Sequence, residues 1–145
     1  METSEATATV SSKPKGGALN IALWVVQALL ALAYLAAGIQ KTFLSFDTLA
    51  RTIFWTVYVP HPLVRFIGVS ELLGSVGLIV PAATRIRPQL TILAATGLTL
   101  IMASASIMHA LRGETIALPT TITLFVLDAF VMYGRRKLRP ISPKQ

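Results

Sequence analysis

The stretch Phe66-Ile-Gly-Val-Ser-Glu-Leu-Leu-Gly-Ser-Val-Gly-Leu-Ile-Val80 decides the fold. Apart from Glu71 it is apolar or small throughout, and Pro81 follows it. Such a run reads as a membrane span. An acid at a span centre costs roughly 2.5–3.5 kcal/mol on insertion scales unless it faces protein, water or a partner. Glu71 is therefore the first candidate functional residue. Asp128, in a second apolar run, is the other.

The rest of the chain extends this pattern. Of its 145 residues 54% are hydrophobic and 13% are charged, against about 25% charged in globular domains. Four segments approach the roughly 20 apolar residues that cross a bilayer. They are Leu19–Ile39, Leu63–Val80, Leu90–Ala110 and Ile116–Tyr133. Arg65, inside the second, is expected to snorkel to the interface. The fold expected is all-α, a four-helix transmembrane bundle in the lipid bilayer.

The net charge of +7 is spread at the ends of the apolar runs. That placement suits the positive-inside rule and not nucleic acid, which is not an expected partner. Four spans put both termini on one side. That side holds nine basic residues: Lys13, Lys15, Arg85, Arg87, Arg135, Arg136, Lys137, Arg139 and Lys144. The other holds four: Lys41, Arg51, Arg65 and Arg112. The bias makes both termini cytoplasmic. Residues 1–18 read as a disordered tail, 19–135 as the membrane domain and 136–145 as a basic tail. The first apolar run exceeds the usual signal-peptide core, so an uncleaved span is expected.

Between spans one and two, Thr42–Pro62 mixes Phe46, Phe54, Trp55 and Tyr58 with Asp47, Arg51 and His61. Aromatic residues among a few charges suit the membrane–water interface. A short interfacial helix is expected around Phe46–Val57, ended by Pro60-His-Pro62. A plain tethering loop fits equally.

Helical spacing gives each span one polar or small face. Span one carries Gln27, Ala31, Tyr34, Gly38 and Lys41 on one stripe. Span two carries Ser70, Glu71, Gly74, Ser75 and Gly77, with Ser70-x-x-x-Gly74 as a close-packing pattern. Span three aligns Met102, Ala105, Ser106 and His109, and span four aligns Thr121, Leu124 and Asp128. These faces should meet inside the bundle. Lys41, Glu71, His109, Arg112 and Glu114 lie at depths where they converge, and Gln27 and Asp128 at depths where they hydrogen-bond. Lys41 with Glu71 reads either as a structural ion pair or as a site for a proton, a quinone head group or a lipophilic substrate. One His with no second nearby argues against a metal site. Arg112-Gly-Glu114 is most simply a turn with solvated charges. No cysteine is present, so thiol relays, iron–sulfur ligation and disulfides within the chain are excluded. No phosphate loop, nucleophile elbow or His-Glu-x-x-His motif occurs.

Several of these pieces, in this order, resemble the DoxX-like family of small four-span membrane proteins. They are Leu23-Trp-Val-Val-Gln27 leading to Ala37-Gly-Ile-Gln-Lys41, the Gly-x-x-Glu-Leu-x-Gly core of Phe66–Pro81, His109-Ala-Leu-Arg-Gly-Glu114, and Val131-Met-Tyr-Gly-Arg135. The family often has an Asn early in span four, where Thr121 stands here. Asp128 lies outside its pattern and points to specialisation. The family name comes from a membrane subunit associated with thiosulfate:quinone oxidoreduction. Relatives are linked to redox-stress complexes, and others act in assembly.

The resemblance implies an accessory subunit of a membrane oxidoreductase or redox-stress complex. Its partners would be an oxidoreductase subunit or a second copy of the chain, with quinone as a possible ligand and no cofactor carried by the chain itself. A rival is a metal-free membrane enzyme performing acid/base isomerisation, cyclisation or ring opening on a lipophilic small molecule. Glu71, Asp128 and His109 are then its candidate acid/base groups. Lys41, Arg112, Tyr34, Gln27 and Trp55 are its candidate substrate contacts. A third reading is an assembly factor that docks another helix on span two.

Overall fold

The computed structural model describes residues 17–144, all of whose regular structure is helical. The expected N-terminal tail lies, for residues 1–16, outside the described residues. The first helix, α1, runs Gly17–Phe43 and places Lys41 in its last turn, where a cation complements the negative end of the helix dipole. A short helix, α2, spans Phe46–Thr52. Ser45 caps it, its hydroxyl accepting from the Thr48 amide at 3.3 Å, and a 3-10 turn follows at Phe54–Tyr58. The expected short helix at 46–57 is thus split into two pieces.

Helix α3 spans His61–Thr84, α4 spans Gln89–Leu111 and α5 spans Leu118–Tyr133. A π-helical turn at Gly134–Leu138 extends α5. Pro81 does not stop α3, contrary to the expected end at Val80. The proline removes one amide donor within the last turns, and the helix ends four residues later where Arg85 turns left-handed, φ 57°. Gly113, at φ 69°, supplies the left-handed residue in the reversal from α4 to α5, where a side chain would be strained.

The helices form a ring in which α1 packs on α3, α3 on α4 and α4 on α5, while α1 meets α5 more lightly. Leu30, Ala31, Tyr34, Leu78, Ala95, Leu98, Met102 and Val131 make the core. Large apolar side chains such as Leu29, Leu32, Leu73, Leu93 and Ile107 point outward and are exposed, as a chain dissolved in lipid requires. α1, α3 and α4 are long and apolar enough to cross a membrane. With 16 residues, α5 is about 24 Å long at 1.5 Å per residue. That is shorter than the roughly 30 Å hydrocarbon layer.

The backbones of α1 and α3 approach closely at Gly38 and Gly68. A Cβ on Gly38 would lie 2.9 Å from the Gly68 carbonyl, and one on Gly68 would lie 2.8 Å from Lys41 Cβ. The expected Ser70/Gly74 pattern does not make this crossing. Ser70 bonds back to the Phe66 carbonyl at 2.8 Å, and Gly74 accommodates the Leu98 side chain of α4. Ser75 on the same helix ties α3 to α1 by donating to the Ala31 carbonyl at 2.7 Å.

A candidate lipophile site between the helices

The crossing at Gly68 places the end of α1 beside the third turn of α3, and so brings Lys41 to Glu71. Lys41 Nζ donates to both carboxylate oxygens of Glu71, each at 2.7 Å. The residues are only 7% and 2% exposed, so the pair is enclosed by protein. Arg65, half-buried near the start of α3, turns to the end of α1. Its guanidinium caps α1, donating to the Lys41 and Leu44 carbonyls at 2.7 Å each, and lies over the Phe46 ring. Free carbonyls at a helix C-terminus need such donors, and the same contact fixes the backbone that carries Lys41.

The 3-10 turn folds Trp55 over this end. Lys41 Nζ lies 5.8 Å from the Trp55 ring centre. Trp55 meets His109, at the end of α4, edge to face at 6.4 Å. His109 Nδ1 is 2.6 Å from Glu114 Oε2, and Arg112 Nε donates to Glu114 Oε1 at 2.7 Å. The Arg112 hydrogen bond, then that of His109, holds the Glu114 carboxyl below the usual range. Arg112 also lies over Tyr58, 3.8 Å from its ring centre.

Beneath Trp55 the helices leave a cavity of about 610 Å³ lined by Lys41, Glu71, His109, Tyr34 and Trp55. Its remaining walls are mostly aliphatic, among them Ile67, Ile101 and Met108. Phe66 and Leu100 line it and are also exposed, so the cavity reaches the surface that faces lipid. Of the five charged or ionisable groups expected to converge, Lys41, Glu71 and His109 do so. Arg112 and Glu114 stand behind His109 and brace it, so Arg112 is not a cavity contact.

At the cavity floor Tyr34, 1% exposed, donates to Oδ2 of Asp128, which is fully buried on α5. Asp128 Oδ1 has no partner among the described residues. The expected Gln27–Asp128 hydrogen bond is not formed. Gln27 lies further from the cavity and donates from Nε2 to the Leu78 carbonyl at 2.6 Å. It accepts at Oε1 from Arg135 Nε at 2.6 Å. Arg135 also donates to Asn20 Oδ1 at 2.7 Å and lies over Trp24. The π-turn swings it inward, to 2% exposure, so Arg135 ties the helix ends together and is not a solvated tail charge. Asn20, Trp24 and Gln27 share one face of α1 by spacing, and extending the Gln27–Lys41 stripe back to Asn20 is the signal that could have revealed a buried partner. Among the described residues no three His, Asp or Glu side chains gather into a metal-binding group.

Three helices long and apolar enough to cross a bilayer, an apolar exterior, a buried ion pair and a cavity reaching the lipid-facing side, among the described residues, define an integral membrane protein. The chain belongs to the DoxX-like family, whose pattern it matches over residues 25–131. Neither a curated protein nor a solved structure matches it.

Proposed function

We propose that this protein is a four-span accessory subunit of a membrane oxidoreductase or redox-stress complex, and that it holds a lipophilic molecule in its cavity. The observation that carries the reading is the cavity itself, aliphatic along its walls and closed at one end by Lys41, Glu71, Trp55 and His109. An apolar pocket with a few convergent polar groups is the usual form of a small-molecule site. Both oxygens of Glu71 are engaged by Lys41, which favours binding over use of Glu71 as a free base. A quinone fits the residues present. Its ring would lie by Trp55 and one oxygen by the Lys41 ammonium, which donates; with Nδ1–H donating to Glu114, His109 Nε2 would accept from the hydroxyl of the reduced quinol. Bound there, the quinone supplies the redox chemistry, and the chain supplies orientation and a dry wall.

In this reading α5, prolonged by the π-turn, is the fourth span beside α4. Both termini are cytoplasmic by the basic-residue bias, and α2 with the 3-10 turn lies at the outer interface as a cap. Native mass spectrometry of the protein purified in mild detergent from its host tests the role. A stoichiometric protein partner and a retained lipophile support it. A chain that emerges alone and empty counts against it.

A second reading, the metal-free membrane enzyme, is favoured by one observation: the buried Asp128 with an unpaired oxygen behind a cavity tyrosine. Turnover of a lipophile by the isolated chain, abolished by Tyr34→Phe or Asp128→Asn with folding retained, would establish it instead.

A further inference from the structure

The floor of the cavity holds a polar pair that a simple greasy pocket does not need. Tyr34 lines the cavity and spends its only O–H on Asp128 Oδ2. The phenol oxygen keeps acceptor capacity, and no donor among the described residues reaches it. Asp128 is 0% exposed and its Oδ1 is unpaired among the described residues. The cation seven residues along the same helix, Arg135, is committed to Gln27 and Asn20. An acid held in an apolar interior by one phenol is costly as a structural element, and intramembrane ionisable groups mark functional sites.

We propose that Tyr34 and Asp128 form a hydrogen-bond-accepting subsite that takes the hydroxyl of a lipophilic alcohol or phenol. The subsite rests on the reading of the cavity as a lipophile site and names what that lipophile carries. The ligand O–H donates to Tyr34 Oη, which donates to Asp128 Oδ2. Each bond in such a chain strengthens the next. Aliphatic neighbours Ile101, Met102 and Leu124 receive the carbon skeleton. Tyr34 and Lys41 lie seven residues apart on α1, about 10 Å along the axis. The cavity therefore has two polar ends, and an elongated lipophile with an oxygen function at each end spans them.

The test uses the full chain in lipid nanodiscs, with 2-naphthol and 2-methoxynaphthalene as probes. They are similar in size and only the first carries a donor. Excited 2-naphthol gives up its proton to a hydrogen-bonded base. That proton passes to Tyr34 Oη as the Tyr34 proton passes to Asp128 Oδ2, leaving a naphtholate that emits to the red, and the transfer reverses on decay. The wild-type protein should bind 2-naphthol about tenfold more tightly than the ether and show naphtholate emission above that of empty nanodiscs. Tyr34→Phe should abolish the preference and the emission, with ether binding unchanged as the check on folding. Asp128→Asn keeps an oxygen that accepts from Tyr34 but removes the carboxylate that takes the proton, and should abolish the emission while ether binding persists. It decides the matter should Tyr34→Phe fail to fold. Equal binding of both probes, or emission that survives either substitution, overturns the subsite and leaves the cavity reading standing. Binding of neither probe overturns both.

Discussion

Replacing Glu71 by Leu strands the Lys41 ammonium inside the bundle. Both oxygens of the carboxylate accept from Lys41 at 2.7 Å, and the residues are 7% and 2% exposed, so little water is at hand to replace the lost partner. Removing one member of a buried ion pair costs about 3–5 kcal/mol, whereas replacing both by apolar residues of similar volume is often near neutral. Glu71→Leu should therefore destabilise by about 3 kcal/mol. Lys41→Met should cost less, because a stranded carboxyl can take up a proton. The double variant should lie close to wild type, giving a coupling of at least about 2 kcal/mol. The assay is unfolding by SDS titration in mixed micelles, read from the fluorescence of Trp24 and Trp55. A Glu71→Leu cost under about 0.5 kcal/mol with no coupling would refute the buried pair. The double variant also separates fold from function. It should stay folded yet bind a quinone probe more weakly, because the polar end of the cavity is gone.

Other perturbations probe the remaining elements. Gly68→Ala sets a methyl 2.8 Å from Lys41 Cβ and 3.0 Å from the Thr42 amide nitrogen, and should cost about 1–3 kcal/mol as overpacking in the same unfolding assay; no loss would mean the helices do not cross there. Arg135→Met leaves Gln27 Oε1 and Asn20 Oδ1 without their donor and should cost about 1–3 kcal/mol. Arg135→Lys should not restore it, since an ammonium lacks the fork that reaches both. Glu114 has its pKa depressed by Arg112 and His109. Its contribution is full above the unfolded carboxylate value of about 4.3 and is lost as pH falls through the lower folded value. Thermal unfolding across the acid range should lose stability less steeply in Glu114→Gln than in wild type, and identical acid limbs would refute the contact.

The spans were legible because apolar length and the period of 3.6 carry through a sequence without knowledge of neighbours. Glu71 and Lys41 were legible as partners because charges in apolar runs have few places to go. What depended on the third dimension was harder to read. The Gly38/Gly68 crossing lies between two helices, and local spacing pointed instead to Ser70 and Gly74, which serve their own helix and α4. Arg65 and Arg135 give no local sign of their partners, because Arg side chains reach far. Their partners are carbonyls and amides more than twenty residues away. Pro81 was read as a stop, although a proline within a final turn removes one donor and leaves the helix intact. Gln27 and Asp128 sit at different depths: Asp128 meets Tyr34, seven residues along α1 from Gln27, and Gln27 meets Arg135, seven residues beyond Asp128.

The claim that a lipophile occupies the cavity is tested most directly by photo-crosslinking. A quinone bearing a diazirine is added to the protein in native membranes, and the labelled positions are mapped by peptide mass spectrometry. The account predicts label on cavity residues such as Ile67, Met108 and Trp55, competed by unlabelled quinone and lost in Ala105→Trp, which fills the cavity. Label confined to outward residues such as Leu29 and Leu93, unchanged by competition or by that substitution, would contradict it.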